Sequence, residues 1–171
     1  MNFWVIKCRE KKPNGKKGWH WDNYFVKDCN VSNGWGGKDW IKNNESKRYI
    51  RDEVGKGDLV VCYQYEGQEI MGLTSMARDG AEEIKNSGTY NILFFARSKK
   101  AFQLDPPLTL QKLRSAGCNP KCFRHGRQGT VFPLDSKEFK GILSVIADSY
   151  PQKRKILERW LEGAKVSGLH S

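Results

Sequence analysis

Apolar and polar positions divide this 171-residue chain into strands and short helices. Phe3-Trp4-Val5-Ile6-Lys7-Cys8 is a run of aromatic and β-branched residues, a composition that suits a pleated, half-buried surface, and it predicts a first strand. Residues 9–18 follow as a solvated basic loop broken by Pro13, Asn14 and Gly15. Residues 22–29 predict a short helix capped by Asp22, with Tyr24 and Phe25 turned inward. A glycine-rich loop around Trp35 leads to Asn44, which caps a helix over residues 45–54 with Tyr49, Ile50 and Val54 at helical spacing. Residues 58–65 and 68–77 predict two strands joined by a hairpin turn, followed by a polar loop over 78–88 and a strand over 89–96. Pro106-Pro107 is expected to break the chain before a short helix over 109–116, which Gly117 closes. After a last short strand at 129–132, Asp135-Ser136-Lys137-Glu138 is a capping box opening a helix to about Ala147, with Phe139, Ile142, Leu143 and Ile146 on one face. Pro151 then starts a C-terminal helix carrying Ile156, Leu157, Trp160 and Leu161 opposite Lys153, Arg154, Lys155 and Arg159. Five or six strands interrupted by short helices predict an α+β domain around a small curved sheet or barrel.

The length fits one domain. No apolar run approaches the roughly 20 residues that span a bilayer, so no membrane partner is expected. The N-terminus reads as a strand rather than a secretory signal, which sets the expected location as intracellular: cytoplasmic, or nuclear in a eukaryotic cell. The formal net charge is +11, and its distribution sharpens the picture. Residues 97–129 hold 8 Lys or Arg against a single acid, and residues 1–60 are also basic, whereas the stretch between them is net acidic. Such sidedness suits an anionic polymer, although lysine-rich surfaces also serve solubility alone. Five cysteines, an odd number with Cys62 inside an apolar strand, read as reduced thiols. Cys118, Cys122 and His125 offer three donors at metal-binding spacing, but no local fourth ligand accompanies them, and neither a metal nor another cofactor is expected. The chain has no nucleophile elbow, phosphate-binding loop, dinucleotide fingerprint or metalloprotease helix, and its three histidines pair with no nucleophile. It is not expected to be an enzyme.

The aromatic inventory carries more. Trp19, Trp21, Trp35 and Trp40 fall within or beside loops rather than on a periodic apolar face. A Trp flanked by glycines can present a flat wall to a nucleobase, or it can pack as a lid on the core.

Four segments, taken in order, bear a family likeness: Phe3 to Cys8; Gly34-Trp35-Gly36-Gly37; Lys56-Gly57-Asp58 running into Ile70-Met71-Gly72-Leu73-Thr74; and Arg127-Gln128-Gly129-Thr130 running into Leu134. Together they resemble the EVE domain, a PUA-like family related to the YTH readers of methylated adenine, over about residues 3–143. The resemblance implies a small barrel with an aromatic pocket for a single modified nucleobase. It makes Trp35 the pocket wall with Trp21 as runner-up, sets Lys7, Cys8 and Arg9 at the border of the base, and lines the opposite side with Thr74 and Ser75. Where many EVE domains read Trp-x-Gly-Val-Arg-Asn, this chain reads Trp35-Gly36-Gly37-Lys38-Asp39, so the base itself is not specified. Arg124, His125, Arg127 and Gln128 form a basic turn suited to phosphate oxygens. The expected organisation is an EVE domain over 1–147 and a C-terminal amphipathic helix and tail over 148–171. The expected partner is DNA or RNA carrying a modified base. Two alternatives stand beside it: a protein-interaction module using the Trp160 helix, and an enzyme built on a PUA-like scaffold.

Overall fold

A computed structural model describes residues 1–11, 15, 17–27, 45–83, 90–124 and 129–164. Strand β1 (Phe3–Cys8) lies parallel to β2 (Leu59–Gln64), in register from Phe3 opposite Leu59 to Cys8 opposite Gln64. The turn at residues 65–68 returns the chain antiparallel as β3 (Glu69–Ser75). Strands β4 (Ala81–Glu83) and β5 (Tyr90–Ile92) form a separate ribbon, tied to the end of β3 by a bridge between Met76 and Phe95. With β6 (Phe102–Thr109) and β7 (Val131–Leu134), the main sheet is mixed and five-stranded, in the order β6-β3-β2-β1-β7.

All six residues of β2 are buried, because both faces of the sheet are covered. On one face Leu59, Val61 and Tyr63 join Val5, Phe132 and Leu134. This layer packs on helices α3 (Leu110–Ser115), α4 (Ser136–Ser149) and α5 (Arg154–Gly163) through Leu113, Phe139, Ile142, Ile146, Leu157 and Leu161. On the other face Trp4, Ile6, Cys8, Val60 and Cys62 pack with Trp21, with Tyr24 of α1 (Asp22–Phe25) and with Ile50 of α2 (Glu45–Asp52).

A parallel pair has no hairpin to set its register, and here a carboxylate supplies that constraint. Asp58, 3% exposed, accepts hydrogen bonds from the Asn2 main-chain N–H (2.7 Å), Trp4 Nε1 (2.8 Å) and the Gly55 N–H (2.9 Å). The Leu59 N–H then reaches the Asn2 carbonyl at 3.0 Å, starting the ladder.

Several elements differ from expectation. Strand β6 runs through Pro106 and Pro107 instead of breaking there. It is an edge strand, and the pairing jumps from Ile70 opposite Leu108 to Gly72 opposite Gln103, so the prolines fall where no ladder donor is needed. Residues 81–83 pair as a strand inside the expected polar loop. The loop after β1 folds back on itself, with Gly18 N–H on the Glu10 carbonyl and Trp19 N–H on the Arg9 carbonyl. Helix α1 is only four residues long, and its N-cap is Trp21 rather than Asp22, with no side-chain cap. The last strand lies two residues later than expected, at Val131–Leu134. The capping box of α4 forms as the sequence predicts, with Asp135 accepting from the Glu138 N–H at 2.7 Å. In α5, Leu157 and Leu161 are buried, but Ile156 is 50% exposed and drops out of the expected apolar face. Trp160 is half-buried and donates from Nε1 to the Lys100 carbonyl at 2.8 Å. Through Leu157 and Leu161 this helix shares the core of α4.

Asp58→Ala leaves three donors short of an acceptor at a buried site and is expected to lower unfolding free energy by about 3 kcal/mol or more in a urea titration. Leu157→Ala is expected to cost roughly 2–5 kcal/mol in the same measurement. A loss near zero for Leu157→Ala would show that α5 contributes nothing to the domain core.

Candidate functional site

One end of the sheet gathers basic and aromatic side chains. The Tyr65 N–H bonds the Cys8 carbonyl (2.9 Å) and the Lys7 N–H bonds the Thr130 carbonyl (2.7 Å), so the hairpin tip, the loop after β1 and the turn before β7 all meet there. Lys7 projects into the helix-covered face, where its ammonium sits 4.5 Å from the Phe132 ring centre, with the Phe123 and Tyr63 rings at 5.5 and 5.8 Å. It also donates to the Cys122 carbonyl. Arg114 donates to the Phe123 carbonyl at 2.9 Å, and Arg124 beside it is exposed. The Arg9 guanidinium lies 3.8 Å from the centre of the Tyr65 ring. Cations interleaved with rings in this way can meet phosphates and bases together.

Glu66 clasps this end. Its Oε1 accepts from the main-chain N–H of Glu10 (2.7 Å) and of Lys11 (3.2 Å), and its Oε2 accepts from Gln64 Nε2 (2.6 Å). Burial works against the Glu66 charge, but these hydrogen bonds outweigh it and hold the carboxyl below its ordinary range. Gln64 is itself buried and accepts from the Trp21 N–H at 3.1 Å, so the clasp connects the surface loop to the opposite face of the sheet.

On that face lies an aromatic layer. Trp21 meets Phe95, Tyr24 and Phe25 at centroid distances of 5.2, 5.8 and 6.1 Å, and Trp19 stands edge-on to it at 4.9 Å. Trp21 is wholly buried and donates from Nε1 to the Tyr63 carbonyl at 3.1 Å. As the runner-up for a pocket wall it is therefore a core ring in this structure, whereas Trp19 is half-buried at the rim of the layer. The Thr74 hydroxyl, also buried, is engaged by the Tyr24 hydroxyl at 2.6 Å. Gly72 lets this layer close on β3: a Cβ there would stand 2.4 Å from the Phe102 carbonyl oxygen and 2.7 Å from the Phe25 ring.

The expected pocket residues are consequently dispersed. Cys8 pairs with Gln64 at one end of β2, while Thr74 pairs with Val60 near the other. Cys8, Trp21 and the Thr74–Tyr24 contact belong to one face and the Lys7 side chain to the other. Ser75 is half-buried, and its carbonyl accepts the Ala96 N–H at 2.8 Å. Trp35, His125, Arg127 and Gln128 lie outside the described residues. Sequence reasoning missed Tyr65, Gln64 and Glu66; an aromatic residue and a glutamate in a hairpin turn carry no signal until the loop opposite them is known.

Three of the described thiols are held protonated. Burial pushes the Cys8 and Cys62 thiols well up, with the Glu66 charge adding to it at Cys8. Burial and the nearby Glu138 also push the Cys118 thiol up, against the thiolate that a metal would require.

The model of the EVE domain family matches residues 2–145. The chain belongs to the EVE domain family. Solved structures share its fold at low identity. The NMR structure of Rpa0253 from Rhodopseudomonas palustris is 19% identical, with 85% of this chain and 92% of that one covered and a TM-score of 0.56. Human THYN1, in complex with DNA containing 5-methylcytosine, is 18% identical over 85% of this chain and 97% of its own, with a TM-score of 0.55. Atu2648 from Agrobacterium tumefaciens is 16% identical over 85% and 90%, with a TM-score of 0.53. No match was found among curated proteins. In this EVE domain, α5 lies beyond the residues that the family model covers.

Because the folded Glu66 pKa is lowered, the clasp contributes fully above the ordinary glutamate pKa of about 4.3 and is lost as pH falls through the lower folded value. Hydrogen exchange at the Glu10 and Lys11 amides, corrected for intrinsic rates, is expected to lose protection on acidification. Glu66→Gln is expected to remove that dependence, and protection that is flat with pH in the parent would refute the clasp.

Proposed function

We propose that this EVE domain is a non-enzymatic nucleic-acid reader that takes a single modified base into an aromatic pocket. The observation that carries this reading is the end of the sheet where Lys7 and Arg114, with Arg124 next along the chain, meet Tyr63, Phe123 and Phe132. Cations there would hold phosphates, and the basic sequence that continues from Arg124 to Gln128 would add to them. Family membership supports the reading, as does the shared fold with THYN1, whose solved complex contains 5-methylcytosine DNA. Trp35 is the proposed wall on which the base stacks. Among the described rings, the half-buried Trp19 rather than the fully buried Trp21 is proposed to border that pocket. The protein-module alternative has less support: Leu157 and Leu161 are spent on the domain's own core, and Trp160 on Lys100.

Fluorescence anisotropy with matched DNA and RNA oligonucleotides, with and without 5-methylcytosine, tests this function. Binding is expected to favour a modified strand and to weaken steeply with salt. Trp35→Ala is expected to weaken it by roughly 1–3 kcal/mol without changing the melting temperature. Equal affinity for modified and unmodified strands would remove the base-reading element, and a collapse of the melting temperature would make Trp35 a structural residue.

A further inference from the structure

Tyr65 stands apart from the other rings at this end of the sheet. Tyr63 is packed in the core, but Tyr65, at the hairpin tip, is 49% exposed, and the Arg9 guanidinium covers it at 3.8 Å. A cation and a ring at this separation form one flat, partly desolvated unit. We propose that Arg9 and Tyr65 form a second nucleotide site, a stacking platform for an unpaired base flanking the one that is read. This rests on the nucleic-acid reading above and adds to it a preference for single-stranded or locally opened substrate.

Three observations carry the assignment. First, the pair is held in place: the Tyr65 N–H bonds the Cys8 carbonyl just before Arg9, and Glu66, next to Tyr65, anchors the amides of Glu10 and Lys11 just after it. The stacking surface is therefore ordered before a ligand arrives, which lowers the entropy lost on binding. Second, the chemistry is that of base recognition without sequence readout, since every base has a face that stacks on an aromatic ring or a guanidinium plane. Third, the ligand charge fits. Of the two acids adjacent in sequence to the pair, Glu66 has its oxygens occupied by Gln64 and two main-chain donors, and the exposed Glu10 is offset by Lys11 and Lys17, exposed on the same loop. The Arg9–Tyr65 contact also sits one residue beyond Cys8, at the end of β1 where the proposed phosphate-holding cations gather. Within a duplex each internal base is stacked on both sides and offers no free face there.

The experiment compares the full chain and its variants on a single-stranded DNA oligonucleotide containing one 5-methylcytosine and on the blunt duplex of the same strand. Tyr65→Ala is expected to weaken single-strand binding by roughly five- to 150-fold, with less than about a twofold change on the duplex. Tyr65→Phe keeps the ring and is expected to bind as the parent does, whereas Arg9→Lys keeps the charge but loses the plane and is expected to weaken the single strand. Melting curves confirm that each variant is folded; the Tyr65 main-chain bond survives all three changes. If the parent binds but Tyr65→Ala matches it on the single strand, or loses equally on both substrates, the platform is overturned while nucleic-acid binding stands. If the parent binds neither substrate, both readings fall.

Discussion

The carboxylate of Asp58 is the constraint on which the rest of the sheet depends. β1 and β2 are separated by fifty residues, run parallel, and have no turn to choose their register. Asp58 makes the choice by gathering the amide of Asn2, the indole of Trp4 and the amide of Gly55. A shift of one residue would separate these partners and send every β1 side chain to the opposite face. With the register fixed, Val5 and Lys7 face the helices, and Trp4, Ile6 and Cys8 face the aromatic layer. The Gly57-Asp58 motif is thus structural, and it acts on function by deciding what the end of β1 displays.

Division of the sheet into two covered faces has a consequence for the site. A residue pattern read along β1 and β3 brings Lys7, Cys8 and Thr74 together on paper, but alternation and register separate them across the sheet and along it. What the fold assembles instead is an end: the tip of the β2–β3 hairpin, the loop after β1 and the approach to β7, joined by main-chain hydrogen bonds and the Glu66 clasp. The buried Gln64 links that end to Trp21, so the basic rim and the aromatic layer share a polar connection through the sheet.

The C-terminal helix extends the same logic. Leu157 and Leu161 complete the core that α4 begins, and Trp160 reaches the Lys100 carbonyl while Lys153 reaches that of Gln103. These contacts tie the C-terminal segment to the stretch around Lys100 and Gln103 at the start of β6.

The sequence alone determined the elements whose causes are local. Strand β1, the 65–68 hairpin, the capping box at Asp135 and the apolar face of α4 follow from alternation, turn chemistry and helical spacing within a few residues. The family likeness, carried by short segments in a set order, was legible for the same reason. Tertiary structure decided whatever depends on a distant partner. Pro106 and Pro107 could stay in β6 only because that strand is an edge with a register shift, and Ala81–Glu83 became a strand only because Tyr90–Ile92 lies beside it. Trp21 and Trp19 look alike in sequence, two aromatic residues in one loop, yet one is sealed beneath the other by packing against Phe95 and Tyr24. Tyr65 became a ring under a guanidinium only when the loop after β1 folded onto the hairpin, because local propensity contains no term for which distant cation a turn residue will meet.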